Sequence, residues 1–141
     1  MGLLQGLLGN YSQMAKDEIE SEFSGYLIEG EEVQFGFKLI RDVLIFTNLR
    51  IIDMDKQGMT GKKVRITSIY LDTICEVTCE TAGAGLDDSE ITVTYIRSPY
   101  RRANNIVLES RKFEFPKKFD VVDLYAQLEE IAHDNVVQLN A

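Results

Sequence analysis

Two stretches of this chain carry residue types that do chemistry elsewhere. The first is DKQGMTGKK, residues 55–63, where two glycines precede a pair of lysines. A glycine loop cradles phosphate with its backbone N–H groups when four residues separate the glycines, Lys is followed by Ser or Thr, and a helix begins there. Here two residues separate Gly58 from Gly61, Lys63 follows Lys62, and the next segment alternates like a strand. The loop reads as a turn. So does AGAG at 82–85, which opens no helix. The second stretch is ICEVTCE, residues 74–80, which holds both cysteines, Cys75 and Cys79. Strand positions i and i+4 share a face but lie about 13 Å apart. A disulfide needs Cα atoms within roughly 7 Å. Two reduced, buried thiols are expected.

The remaining reactive types are sparse. His133, the single histidine, falls near the end of the chain's last helical stretch and should face solvent. Asp87 and Asp88 are adjacent in a glycine-containing loop and point apart. Acid–base catalysis wants a histidine or paired carboxylates in a cleft, and no set of His, Cys, Asp and Glu has metal-ligand spacing. The reading is a protein that is not an enzyme, with no catalytic residues, no metal and no cofactor.

Two other groups of residues are candidates for binding. Lys56, Lys62, Lys63 and Arg65 surround one hairpin tip, and Lys38 and Arg41 occupy the hairpin before it. They form a candidate loop site for a ligand or partner, set against the plainer reading of a solvated charged face. At the other extreme, Leu3, Leu4, Leu7 and Leu8 put four leucines within six residues, with Tyr11 close behind. That is too apolar for a free tail. These five are candidate oligomer contacts, with packing on their own domain or on lipid as the alternatives.

The elements that must position these residues follow from periodicity. Leu4, Leu8, Tyr11, Ala15, Ile19, Phe23 and Tyr26 recur at three- and four-residue steps, which predicts an amphipathic helix within residues 3–27. Its early glycines defer the regular part to Asn10 or Ser12, and Gly25 or Gly30 ends it. From Glu31 the period becomes two. Strands are predicted from 31 to 37, at 43–47, 49–55, 63–70, 73–80 and 90–97, and at 105–115. The last of these changes parity between Ile106/Leu108 and Phe113/Phe115, so a bulge is expected near 109–112. After Pro116, Val121, Leu124, Leu128 and Ile131 line a helix over 118–134, with Asp120 as N-cap and Asp123 completing a capping box. Residues 136–141 read as a frayed tail. The domain plan is a helical segment at 1–30 followed by a β-rich domain at 31–135. Short turns make the seven strands antiparallel, in two packed sheets with the helix closing one end.

Length and charge narrow the function. One domain of 141 residues can bury a core without staples. No apolar run approaches the roughly 20 residues of a membrane span. MGLLQGLLGN lacks a basic n-region and cleavage site, and Gly6 stands where myristoylation needs Ser or Thr. A cytoplasmic location is expected. The net charge of −8 argues against nucleic acid and against anionic membranes.

The stretch FTNLRIIDMDKQGMTGKKVRITSIYLDTI, residues 46–74, resembles the signature of a bacterial pleckstrin homology (PH) domain family of unknown function. In that signature a Phe-Thr-Asn-x-Arg strand runs through Asp-x-Gln-Gly-x-Thr-Gly-Lys-Lys to a Ser-Ile strand. GLLQGLLGN and EGEEVQFGFKLIRDVLIFTN extend the resemblance over nearly the whole chain. It implies an α+β, mainly β fold: a PH-like barrel of seven antiparallel strands in two packed sheets, a C-terminal helix and an added N-terminal helix. It also implies homo-oligomeric rings. The phosphoinositide pattern of eukaryotic relatives, Lys, then Lys or Arg, then Arg, is not matched, since only Lys38 and Arg41 stand there and Asp42 follows. The expected function is a non-enzymatic scaffold that assembles with itself and docks another protein. The alternative is a peripheral membrane or anionic-ligand module using the basic hairpins.

Overall fold

The computed structural model describes residues 13–39, 42–57, 63–83, 88–100 and 104–141. It divides after Tyr70 into two compact units, Gly2–Tyr70 and Leu71–Ala141.

The first unit is an antiparallel sheet with a short helix on one face. Its strands are β1 (Gln13–Met14), β2 (Val33–Lys38), β3 (Asp42–Thr47), β4 (Arg50–Gln57) and β5 (Lys63–Tyr70), in the spatial order of their numbers. Helix α1 spans Lys16–Phe23 and tightens into a 3-10 turn over Ser24–Tyr26. This is shorter than the periodicity predicts. Gln13 and Met14 pair with Phe37 and Gly36 as strand, so the helix starts only after Ala15. The two strongest apolar positions of the predicted stripe, Ile19 and Phe23, keep their role. One helical turn apart, they pack with Val33, Val43, Ile45, Ile52 and Met54. Each such side chain fully buried contributes roughly 1.5–3 kcal/mol.

Two local features make this packing possible. A register shift between Val33 and Phe35 moves Val33 onto the helix-covered face, while Phe35 and Phe37 remain on the other. Gly36 sits directly beneath Ile19: a Cβ there would lie 2.7 Å from Ile19 Cδ1. The sheet's opposite face carries stacked Phe35 and Phe46, ring centroids 4.8 Å apart, with Phe37 edge-on to Phe46.

The second unit holds β6 (Ile74–Glu80), β7 (Ser89–Ile96) and β8 (Leu108–Phe115), in that spatial order, and helix α2 (Val121–Leu139). Asp120 caps α2 by accepting a hydrogen bond from the Asp123 N–H at 3.2 Å. Val121, Leu124, Leu128 and Ile131 bury the predicted stripe, and α2 packs on β6 and β7.

Two expectations are corrected here. The tail does not fray at 136, because the helix runs to Leu139. Asn135 Nδ2 donates to Leu71 O at 2.7 Å and Ile74 O at 2.8 Å, which ties the last turns to the start of β6. Nor does β8 bulge. Its register against β7 is unbroken from Ser89↔Phe115 to Ile96↔Leu108. The parity change is absorbed by leaving Ile106 and Leu108 at the surface. The seven predicted strands are all present, in two sheets of which the first also gains β1.

Candidate functional site

Glu31, Thr47, Asn48 and Arg50 form the densest polar cluster among the described residues. A tight connection between β3 and β4 places Thr47 and Arg50 side by side, and Gly30, with φ of 82°, turns the incoming chain so that Glu31 meets them. Arg50 donates from Nε to Glu31 Oε2 at 2.8 Å and from Nη2 to Oε1 at 2.9 Å. Thr47 Oγ1 donates to Oε2 at 2.6 Å, and the Ile28 N–H to Oε1 at 3.0 Å. A carboxylate offers about four lone-pair sites, and all four are filled.

The rest of the guanidinium is also engaged, with Nη2 reaching Tyr26 O at 2.7 Å and Nη1 reaching Ser68 Oγ at 2.6 Å. Asn48 closes the cluster. Its Oδ1 accepts from the Glu32 N–H at 2.7 Å, and its Nδ2 donates to Gly30 O at 3.2 Å. Burial opposes charge on Glu31, but the hydrogen bonds from Arg50, Thr47 and Ile28, with the Arg50 charge, hold its pKa at about 2. The Thr-Asn-x-Arg signature is thus a structural clamp. Its polar atoms are spent inside the fold.

The basic hairpins come together only in part. The meander puts the β2–β3 and β4–β5 tips at one end of the sheet. Lys38 there is paired with Glu18 of α1 at 3.3 Å. Lys63 and Arg65 are exposed on β5, with Arg65 across from Asp55, which in turn lies across from Asp42. The backbone of Lys56 belongs to β4, across from Val64. Arg41 and Lys62 lie outside the described residues, as do Leu3, Leu4, Leu7, Leu8 and Tyr11. The described part of the end is therefore mixed in sign.

The second unit carries a cleft of about 760 Å³ between the beginning of β6 and the end of α2. Ile74, Ile96, Pro99, Val136 and Leu139 supply apolar wall, Tyr100 stands at the rim 79% exposed, and Cys75 lies in the lining. Cys75 occupies the register shift between Ile74 and Glu76, and its thiol reaches Thr94 O at 3.5 Å. Both cysteines are free and half-buried, rather than fully buried as expected. Burial pushes both thiols up, with Glu76 adding to the effect at Cys75, so both are weak nucleophiles at neutral pH. His133 is exposed, 3.4 Å from Asp134. No group of three potential metal ligands converges among the described residues.

On the β7–β8 ladder, Tyr95 donates to Glu109, which also accepts from Arg97 at 2.9 Å. Tyr95 is pushed up by burial and by Glu109, while Glu109 is drawn down by Tyr95 and Arg97. Beyond this ladder the run into β8 is apolar and open. Ile106, Val107 and Leu108 are 42%, 56% and 55% exposed.

Seven antiparallel strands in two sheets, followed by one helix, define a PH-like domain. The chain belongs to the bacterial PH domain family, whose model matches residues 2–132. It is similar to a pleckstrin homology domain from Shewanella amazonensis SB2B, with 33% identity, a TM-score of 0.64, and coverage of 93% of this chain and 98% of that one. A DUF1696 family protein with a PH domain from Shewanella loihica PV-4 shows 29% identity and a TM-score of 0.63, covering 86% of this chain and 96% of the other. The uncharacterized protein YjqA of Bacillus subtilis is 44% identical over 93 residues, 66% of this chain and 74% of YjqA. No helix among the described residues is long and apolar enough to cross a membrane.

Proposed function

We propose that this chain is a non-enzymatic PH-like module that assembles into a homo-oligomeric ring and offers a docking surface to another protein. The observation that carries the proposal is the exposed apolar run Ile106–Val107–Leu108 leading into β8, which is the last strand of its sheet among the described residues. An edge strand recruits another chain unless it is charged, bent or covered. The later part of β8 is protected by Glu109, Arg111, Lys112 and Glu114; its entry is not. Head-to-tail use of such an edge repeats until it closes. The strongly shifted carboxylate, Glu31, is sealed by Arg50 and not presented to a substrate, which favours a scaffold over catalysis.

Light scattering of the full chain tests the proposal. A solution mass several times 16.0 kDa is expected. Val107→Asp combined with Leu108→Asp should bring it down while circular dichroism is unchanged. A wild-type mass of 16.0 kDa at micromolar concentration would sink the assembly reading.

A further inference from the structure

We infer that the clamp end of the first sheet is a docking surface for another protein, and that it takes a cationic segment in which Lys or Arg flanks bulky apolar side chains. The inference rests on the docking half of the reading above and does not depend on the ring.

Four exposed apolar or aromatic side chains are anchored to the clamp, at the end of the sheet opposite the basic hairpin tips. They are Tyr26 at 47%, Ile28 at 49%, Leu49 at 37% and Tyr70 at 45% exposure. The clamp fixes the backbone beneath each of them. Arg50 Nη2 donates to Tyr26 O, and the Ile28 N–H donates to Glu31. The Leu49 N–H donates to Thr47 Oγ1 at 3.1 Å, and Tyr70 is the cross-strand partner of Arg50. Exposed apolar side chains rimmed by polar ones mark interaction surfaces. A backbone already held in place spares a partner part of the ordering cost of binding.

The charge around these residues selects the partner. Residues 17–37 carry seven carboxylates and no Lys or Arg. Glu18 is paired with Lys38, and Glu31 with Arg50. Glu29 and Glu32, on either side of Gly30 and Glu31, are exposed. The Arg50 side chain is only 8% exposed, so the clamp's cation is turned inward while its carboxylate neighbours face water. At physiological salt, screening confines such fields to about 8 Å. The local sign therefore governs, and it is negative. Anionic headgroups, nucleic acid and acidic segments are repelled, whereas a cationic segment is steered in and its apolar side chains can cover Tyr26, Ile28, Leu49 and Tyr70.

Fluorescence anisotropy of the full chain with the fluorescein-labelled peptide KLKFKLK, at physiological salt, tests the inference. Saturable binding is expected, with none for ELEFELE or KSKSKSK. Tyr26→Ser combined with Ile28→Ser should weaken it about tenfold, the effect of a 1.4 kcal/mol loss in affinity. The clamp should survive that change, because it grips these two residues by backbone atoms; unchanged circular dichroism checks this. Glu29→Gln combined with Glu32→Gln should weaken binding severalfold, while Glu129→Gln combined with Glu130→Gln, the same change in net charge on α2, should leave it as it was. Equal losses from the two Gln pairs, or equal binding of KSKSKSK, would reduce the effect to bulk charge and overturn the inference. Binding that appears only once Val107→Asp and Leu108→Asp dissociate an oligomer also overturns it, since another copy then covers the face. No binding at all to a protein that light scattering finds oligomeric overturns it and leaves the assembly reading standing. A monomeric wild type that binds in the expected pattern supports the inference and removes the ring.

Discussion

Replacing Glu31 with Gln should expose the energy stored in the clamp. Arg50 is 7% exposed, and its guanidinium would keep its charge after losing the carboxylate it is paired with. Gln also turns one acceptor into an NH2 that faces donors from Arg50 or Thr47. Breaking one side of a buried pair costs about 3–5 kcal/mol. The pH dependence gives a second, independent measure. A carboxyl held at about 2 against an ordinary 4.5 contributes about 3 kcal/mol at neutral pH, at ~1.4 kcal/mol per pKa unit. The native pKa is depressed, so the unfolded chain binds the proton first as pH falls. The contribution is whole above pH 4.5 and disappears as pH falls towards about 2. Urea titrations of wild type and Glu31→Gln, followed by circular dichroism at several pH values, should show a gap that is widest at neutral pH and closes in that window. Taking the difference between the two proteins cancels the other carboxylates. A neutral-pH gap below about 1 kcal/mol, the worth of an exposed pair, would refute the reasoning. So would a gap that does not change with acid.

Gly36→Ala should destabilise the first unit by about 1–3 kcal/mol through overpacking, read as a lower thermal midpoint. Because the clashing atom is Ile19 Cδ1, adding Ile19→Val, which removes that atom, should recover part of the loss; no recovery would place the strain at the Leu44 carbonyl instead. Asn135→Ala should cost about 1–3 kcal/mol by stranding two carbonyls and should speed amide exchange over residues 71–75; unchanged exchange there would mean the tie is idle. Both thiols are pushed up by burial, so native protein should react slowly with a disulfide reagent at pH 7 and faster as pH rises. Full reactivity within the mixing time would contradict their placement.

β7 was legible because burial of one face imposes a period of two, and β3 because burial on both faces leaves a short apolar run. Helix α2 announced both its stripe and its cap at Asp120. Other features depend on partners distant in sequence and leave no local trace. Glu31 and Arg50 are 19 residues apart, and nothing in their spacing marks them as a pair. The end of α2 looked frayed because VVQLNA has no stripe of its own; what holds it is Asn135 reaching a turn 64 residues earlier. Helical periodicity ran through Tyr11 and Ala15, yet Gln13 and Met14 pair with β2, where ladder hydrogen bonds outweigh a propensity already weakened by glycines. In β8 the expected bulge presumes that every apolar residue is buried, yet Leu108 lies outside the core.

The clamp separates two things that a sequence motif is often asked to report together. Thr47, Asn48 and Arg50 direct these hydrogen bonds to Glu31, Gly30, Tyr26 and Ser68, so the Thr-Asn-x-Arg motif within the family signature is engaged in holding the fold. Membership and vocation are then written in different residues. Two proteins could share every letter of this motif and serve unrelated partners, with the difference held in hairpin tips, the rim around Tyr100 and the entry to β8. Transferring a role between relatives on the strength of the shared motif would be transferring the hinge pin and calling it the key.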